Sequence, residues 1–372
     1  MKNSKKFLFL ALALSFSNAL DFGNMGGTSM SLGGSGVALE NSAFSSYYNP
    51  SLVSTDNKIR LGYTGGVRID RKNIDKLNPT NTNTSNPSLK DILSQNYSNL
   101  TSQNGISFQF SPAWIRGSFG SLAFSYFASF YSNISASSKI SKSDTQEVGS
   151  LISSNLLLQE IPISYAYTFF FKNSNLNIGA NFKYMNAIFY QEQNSINANT
   201  NIQQTIKNIR THLSSNNVSN FGLDLGISYN IDLPKFQYLT FGAVAKNINY
   251  PSFKFDGTKI IIKPQYRVGI AYNHPLVTFS VDADILPNEI FTFSDSKQFS
   301  QMIGAGLKFD LKVVDMRIGA AKDLRQDNGM ILTTGINVLG FLDIAFQIGT
   351  KATSNSYTPR YMALQVGGSF SF

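Results

Sequence analysis

The stretch Phe221-Gly-Leu-Asp-Leu-Gly-Ile-Ser-Tyr-Asn-Ile231 decides the fold. Phe221, Leu223, Leu225, Ile227, Tyr229 and Ile231 fall on one side of an extended chain. Gly222, Asp224, Gly226, Ser228 and Asn230 fall on the other. Successive side chains of a strand face opposite ways, so this is a strand with one apolar and one polar face. The pattern recurs on both sides of it. Leu176–Tyr184 sets Asn177, Gly179, Asn181 and Lys183 against apolar neighbours. Ile59–Ile69 sets Arg60, Gly62, Thr64, Gly66 and Arg68 against Leu61, Tyr63 and Val67. Ile163, Tyr165, Tyr167, Phe169 and Phe171 share a face.

Extended along the chain, the period of two predicts fourteen strands, at about 58–69, 104–116, 117–131, 159–172, 174–190, 219–232, 236–248, 260–273, 275–286, 298–311, 313–323, 328–338, 340–350 and 360–372. Most have the length of a tilted membrane-crossing strand, about 9–11 residues plus overhang. The connections between them alternate long and short throughout. Bacterial outer-membrane barrels pair short periplasmic turns with longer outer loops. Strand parity then puts both chain ends on the periplasmic side. The chain ends in Leu364, Val366, Gly368, Phe370 and Phe372 at alternate positions, closing on an aromatic residue as such barrels do.

Composition agrees. Of 372 residues only 14% are charged and 13% are aromatic, with 30 Phe and 17 Tyr, while soluble proteins carry roughly 25% charged residues. Mean hydropathy is −0.09, which fits strands that see lipid on one side and water on the other. With 0 Cys, disulfides, thiolate metal sites, a Cys nucleophile and a lipoprotein anchor are excluded. No Lys/Arg run suggests nucleic acid.

The N-terminus reads as an export signal. Lys2, Lys5 and Lys6 precede the apolar run Phe7–Leu14, and Ser17-Asn18-Ala19 offers small residues for cleavage after Ala19. The apolar run is too short to span about 30 Å of hydrocarbon. The expected organisation is a signal peptide over 1–19, a Gly-rich N-terminal segment over 20–57 and a barrel over 58–372.

Charges on the predicted strands locate the lumen. Arg60, Arg68, Asp224, Arg267, Asp282, Asp284, Lys308 and Arg317 fall on polar faces, as do Lys58, Lys183, Lys246, Asp310 and Asp343. A Lys or Arg on the lipid face costs roughly 2–4 kcal/mol at the midplane, so the charged face is the interior. Asp282 and Asp284 share a strand face about 7 Å apart, and an ion pair to Arg267 or Lys308 is the simplest account of them.

Three long loops carry a helical period. In 86–100, Asn86 and Pro87 suit a helix start ahead of Leu89, Ile92, Leu93 and Leu100. In 143–158, Ser143 and Gln146 have capping-box spacing ahead of Val148, Leu151, Ile152 and Leu156. In 200–213, Ile202, Ile206, Ile209 and Leu213 recur at helical spacing. These helices are expected outside the membrane. They would form a lid, or a groove that binds a hydrophobic ligand.

Catalysis finds no support. The histidines His212 and His274 lie at opposite ends of the barrel by parity, so they cannot share a site, and His-based catalysis is not expected. No metal or cofactor motif is present, and no cofactor is expected.

Gly33-Gly34-Ser35-Gly36-Val37-Ala38, followed by Tyr48-Asn49-Pro50-Ser51-Leu52, resembles the N-terminal hatch of the FadL-like outer-membrane superfamily, with Ser51 in place of the usual Ala. The segments starting at Phe221, Phe241, Pro264, Val281 and Arg317 are similar, in order, to barrels of the conjugal-transfer TraF type, and more distantly to PorV. The resemblance implies a 14-stranded barrel whose hatch, including Gly33, Gly34, Gly36, Asn49 and Pro50, plugs the lumen. It implies either passive transport of small hydrophobic compounds or a structural role in a transfer or secretion apparatus. The expected partners are outer-membrane lipid, a small hydrophobic ligand and the barrel-assembly machinery of a Gram-negative bacterium.

Overall fold

A computed structural model describes residues 22–40, 42–55, 57–72, 97–111, 119–139, 148–196, 217–255, 258–291, 298–352 and 358–372. The N-terminal part is short and irregular. It contains helices α1 (Gly27–Ser31) and α2 (Ser45–Tyr48) and a 3-10 turn over Pro50–Ser54. Asn49 starts that turn by accepting the Ser51 N–H at 3.1 Å, with Pro50 at the first helical position.

Strands follow: β1 (Ile59–Lys72), β2 (Tyr97–Phe110), β3 (Ser121–Lys139), β4 (Val148–Phe170), β5 (Ser174–Ile196), β6 (Asn217–Leu233) and β7 (Gln237–Lys246). A small hairpin comes next, β8 (Ser252–Phe255) and β9 (Thr258–Ile261). Then come β10 (Gln265–His274), β11 (Val277–Asp284), the short pair β12 (Asn288–Ile290) and β13 (Gln298–Ser300), and β14 (Met302–Asp310). The chain ends with β15 (Val314–Asp323), β16 (Met330–Val338), β17 (Leu342–Gly349) and β18 (Tyr361–Ser371).

All but the two small pairs join one closed antiparallel barrel of fourteen strands, in the order β1-β18-β17-β16-β15-β14-β11-β10-β7-β6-β5-β4-β3-β2. The seam is β1 on β18, in register from Arg60 opposite Ser371 to Asp70 opposite Tyr361. Closure leaves no free sheet edge, which is how a sheet satisfies its backbone in lipid. Each of the fourteen strands read from the period of two overlaps one barrel strand, with the ends displaced most at β2, β3 and β4.

The faces sort as the alternation requires. On β6, Phe221, Leu225, Ile227 and Tyr229 are exposed outward, while Gly222, Asp224, Gly226, Ser228 and Asn230 are buried inward. The ladder is interrupted once between β3 and β4, where the paired residues pass from Phe124–Ile163 to Phe127–Glu160. The gap lies beside Pro162, which has no N–H to offer.

Two details differ from the sequence reading. The strands read over 104–116 and 117–131 lie at Tyr97–Phe110 and Ser121–Lys139, with residues 112–118 outside the described ones. The helix expected over 143–158 is replaced from Val148 onward by strand, with Leu156 opposite both Tyr131 of β3 and Phe189 of β5. The Val148, Leu151, Ile152, Leu156 spacing fits a helix face, but β3 and β5 both run past the core of the barrel. They offer that segment a ladder on each side, and paired backbone outweighs a short isolated helix. Likewise Leu100 lies in β2. The other helical expectations, over 86–96 and 200–213, lie outside the described residues.

Candidate functional site

The N-terminal part sits inside the barrel, and its backbone rests on the wall. Wall glycines make this possible. A Cβ at Gly306 would meet Leu32 Cα at 2.5 Å, and one at Gly319 would meet the Gly33 N at 2.8 Å. Gly33 itself has φ +70, a left-handed conformation that glycine adopts without strain.

Side chains from around the ring then hold the plug. Asp282 Oδ2 accepts the N–H of Gly36 at 2.7 Å and of Val37 at 2.8 Å. Thr333 accepts the Gly33 N–H at 3.1 Å and donates to Ser31 O at 2.7 Å. Gln347 donates to Met30 O at 2.6 Å, Asn181 to Ser46 O at 2.9 Å and Gln109 to Val53 O at 2.8 Å. Asn49 donates to Val37 O within the plug and to Ile227 O of the wall. Glu40 accepts from Asn230 and Thr240. Pro50 packs against Gly179 and Gly226. Burial pushes the Tyr48 hydroxyl up to about 12, so it stays neutral while accepting the Met25 N–H.

The lumen charges are grouped. Lys183 Nζ lies 3.0 Å from Glu160 and 2.9 Å from Asp224, and donates to Asn247 at 2.6 Å. Arg267 pairs with Asp284 at 2.6 Å and donates to Gly34 O at 3.2 Å. Arg317 bridges Asp343 and Asp315. Buried charges need such partners to offset lost hydration. Arg60 is buried beside the Glu40 charge, Arg68 donates to Thr101, and Lys308 lies 3.6 Å from Asp310 near the short-turn end. Cations also face plug aromatics: Arg267 lies 3.9 Å from the Phe22 ring centre, and Lys246 lies 3.6 Å from the Tyr47 ring centre.

Toward the long-loop end the interior changes character. Leu156, Leu158, Met185, Ala187 and Phe189 point inward, and Phe253, Phe255, Ile260 and Ile262 of the small hairpin pack against them together with Tyr131 and Phe291. Sequence reasoning missed this cluster, although the alternation of Phe253 and Phe255 just before Ile260 and Ile262 was visible. Of the residues read as a ligand groove, only Leu156 has a described side chain, and it lies in this cluster. Leu151 and Ile152 lie on β4. Leu89, Ile92, Leu93, Ile202, Ile206 and Ile209 lie outside the described residues.

Between this cluster and the plug lies an open recess. Phe22, Asn24, Gly33 and Gly34 of the plug line it, as do Tyr131 and Phe291 of the cluster. The remaining wall is mostly polar, including Asn99, Thr101, Ser132, Asn328 and Gln347. No His/Cys/Asp/Glu grouping suited to a metal ion occurs among the described residues.

The chain is thus a closed fourteen-stranded antiparallel barrel with its N-terminal segment folded into the lumen. Residues 46–284, more than half of the chain, match the family described as "F plasmid transfer operon, TraF, protein", and the chain belongs to that family.

Among solved structures, the toluene transporter TodX of Pseudomonas putida aligns with a TM-score of 0.51 at 12% identity, over 95% of this chain and 99% of TodX. A TodX variant described as a monoaromatic hydrocarbon channel aligns at 0.50 and 11%, over 94% of this chain and 98% of that one. The toluene transporter TbuX of Ralstonia pickettii aligns at 0.48 and 13%, over 94% and 98%. At these identities the likeness concerns the fold. No curated protein matches the chain in sequence.

Proposed function

We propose that the protein is exported by its N-terminal signal and lies in the outer membrane of a Gram-negative bacterium, where it passes small hydrophobic compounds inward without an energy source. The observation that carries this reading is the change of the inner wall from polar to apolar. A water-filled barrel keeps a polar interior. Here Leu156, Leu158, Met185 and Phe189 face inward at the long-loop end, and their cluster opens onto a recess floored by the plug. The small hairpin covers those four, so the part of the cluster that meets solutes above the plug is Tyr131 with Phe291, which line the recess. The outward belt of residues such as Phe182, Phe221 and Ile318 supports the membrane location. The plug would serve as a hatch that yields locally.

The test is uptake of toluene by cells carrying the barrel in their outer membrane, compared with cells expressing a variant whose plug is crosslinked to the wall. Faster uptake that the crosslink abolishes supports the reading. Uptake equal to that of barrel-free cells overturns it.

A second reading, a structural component of a transfer or secretion apparatus, draws on the close fit of the plug. Eleven of its hydrogen bonds to wall side chains or backbone are named above. That reading predicts envelope machinery in a pull-down and no uptake.

A further inference from the structure

A lysine amine, an asparagine amide and a carboxyl group meet on the inner wall, in an arrangement that the transport reading leaves unused. Lys183 of β5 donates from Nζ to Asn247 Oδ1 at 2.6 Å. Glu160 of β4 lies 3.0 Å from the same nitrogen, and Asp224 of β6 lies 2.9 Å from it. All four residues are buried.

The fold brings the amine and the amide together across a strand. Lys183 is in register with Gly222 of β6. Asn247 follows β7 directly, and the Ile248 N–H reaches Leu223 O of β6 at 2.9 Å. Lys183 and Asn247 therefore meet over Gly222. A Cβ there would lie 2.8 Å from Lys183 Cε and 3.5 Å from Asn247 Oδ1, so glycine leaves the space open. Asn247 holds a left-handed conformation, φ 55, with its N–H on Asp224 Oδ1 at 2.8 Å. The amide is thus fixed against the amine from its own backbone.

The distances suit an acyl transfer. A C=O bond is about 1.2 Å long, so a nitrogen 2.6 Å from Oδ1 lies within about 3.8 Å of the carbonyl carbon. Attack takes place from about 3–3.5 Å, which a small rotation of the amide supplies. The two carboxylates are not equivalent. Asp224 accepts the Asn247 N–H on one oxygen and the Asn181 amide at 3.0 Å on the other, so both its oxygens are occupied by N–H donors. Lys183 is the one hydrogen-bonding partner of Glu160 among the described residues. Glu160 is therefore the group placed to take the ammonium proton. Lys246 interacts electrostatically with both carboxylates and remains as the cation facing Asp224 once that proton has moved.

We propose that Lys183 and Asn247 join in an amide bond, formed by the barrel on itself, that straps β5 to β7 across β6. The Lys183 ammonium passes a proton to Glu160, and the freed Nζ attacks Asn247 Cγ. The tetrahedral centre then breaks its bond to Nδ2. Glu160 gives its proton to the departing nitrogen and takes one from the attacking nitrogen, so ammonia leaves and Glu160 ends protonated. One C–N bond forms and one breaks, and neither an oxidant nor a second substrate is needed. Burial keeps out the water that would compete for the amide.

The test is the mass of the protein purified from outer membranes in detergent. The expected mass is one ammonia below that of the processed sequence. Trypsin should then release a branched peptide in which residues 173–207 are joined to residues 247–254 through Lys183 and Asn247. Asn247→Ala and Lys183→Arg should give the full mass and no branched peptide. Asn247→Ala keeps the ion pairs without the bond, so it is the reference against which the charge of Lys183 is measured by itself. In full chain refolded into detergent, Glu160→Gln should slow the appearance of the branched peptide by about 100-fold or more, the usual weight of a positioned proton-transfer group. The full sequence mass in the native protein, with peptides 173–183 and 247–254 separate, overturns the inference. Loss of ammonia with those peptides separate also overturns it, because the asparagine has then closed on its own backbone. An undiminished rate in Glu160→Gln overturns the role given to Glu160.

Discussion

Removing the Asp282 carboxylate should free one stretch of the plug while the barrel stays closed. Asp282 Oδ2 accepts two plug N–H groups, from Gly36 and Val37. Hydrogen bonds to a charged acceptor contribute roughly 1.5–3 kcal/mol each. Asp282→Leu deletes both and leaves two buried N–H groups without that acceptor. It also removes a carboxylate whose burial was itself costly, so the lower end of the sum, about 3 kcal/mol, is the better figure. The wall is otherwise intact, because the β11 backbone ladder does not use this side chain.

With 0 Cys in the chain, a single Ser35→Cys provides a near-isosteric reporter at a fully buried position. Maleimide labelling then measures how often this stretch opens. A change of about 3 kcal/mol corresponds to a labelling rate about 100-fold higher in Asp282→Leu/Ser35→Cys than in Ser35→Cys alone. Heat-modifiable migration on gels should show the barrel still folded. A labelling rate within about threefold of the parent would refute the reasoning that these two bonds latch the plug.

Other outcomes follow from the same geometry. Lys183→Met strands Glu160 and Asp224 without their shared cation, and should lower stability in chemical denaturation by about 3–5 kcal/mol. Adding Glu160→Gln and Asp224→Asn should recover most of that loss. Gly306→Val drives a side chain into Leu32 and should cost about 1–3 kcal/mol by the same measurement, with faster proteolysis of the plug. Phe253→Ala empties the centre of the apolar cluster and should cost about 3–5 kcal/mol locally, read as faster amide exchange in the β8–β9 hairpin with the barrel unaffected. Amino-terminal sequencing of protein from outer membranes should start at Leu20 if the export signal is cut after Ala19.

The barrel was legible because its information is local. Phe221 to Ile231 shows within a few residues which side meets lipid, and the short turns at Lys172, Lys235 and Lys312 punctuate the strands. The Arg267–Asp284 pair was legible for the same reason, since each lies on the polar face of an adjacent strand. Strand ends were not. A segment such as 148–158 carries both periodicities, and its choice of strand depends on β3 and β5, which a local reading does not contain. The trio of Lys183, Glu160 and Asp224 joins three strands, and Glu160 stood out in no motif. The apolar cluster stayed hidden because inward-facing leucines beyond the polar part of β4 look like a loop packing on itself. The hairpin that covers them comes from about a hundred residues downstream.

The seating of the plug is also tied to the closure of the ring. The seam that closes the ring joins the first barrel strand to the last, so closure awaits the end of the chain. The plug touches wall strands on every side, and its backbone lies against Gly306 and Gly319 with no clearance for a side chain. With every barrel strand paired on both sides, no edge opens beside the plug, so any movement of the plug must run along the barrel axis rather than out through the wall.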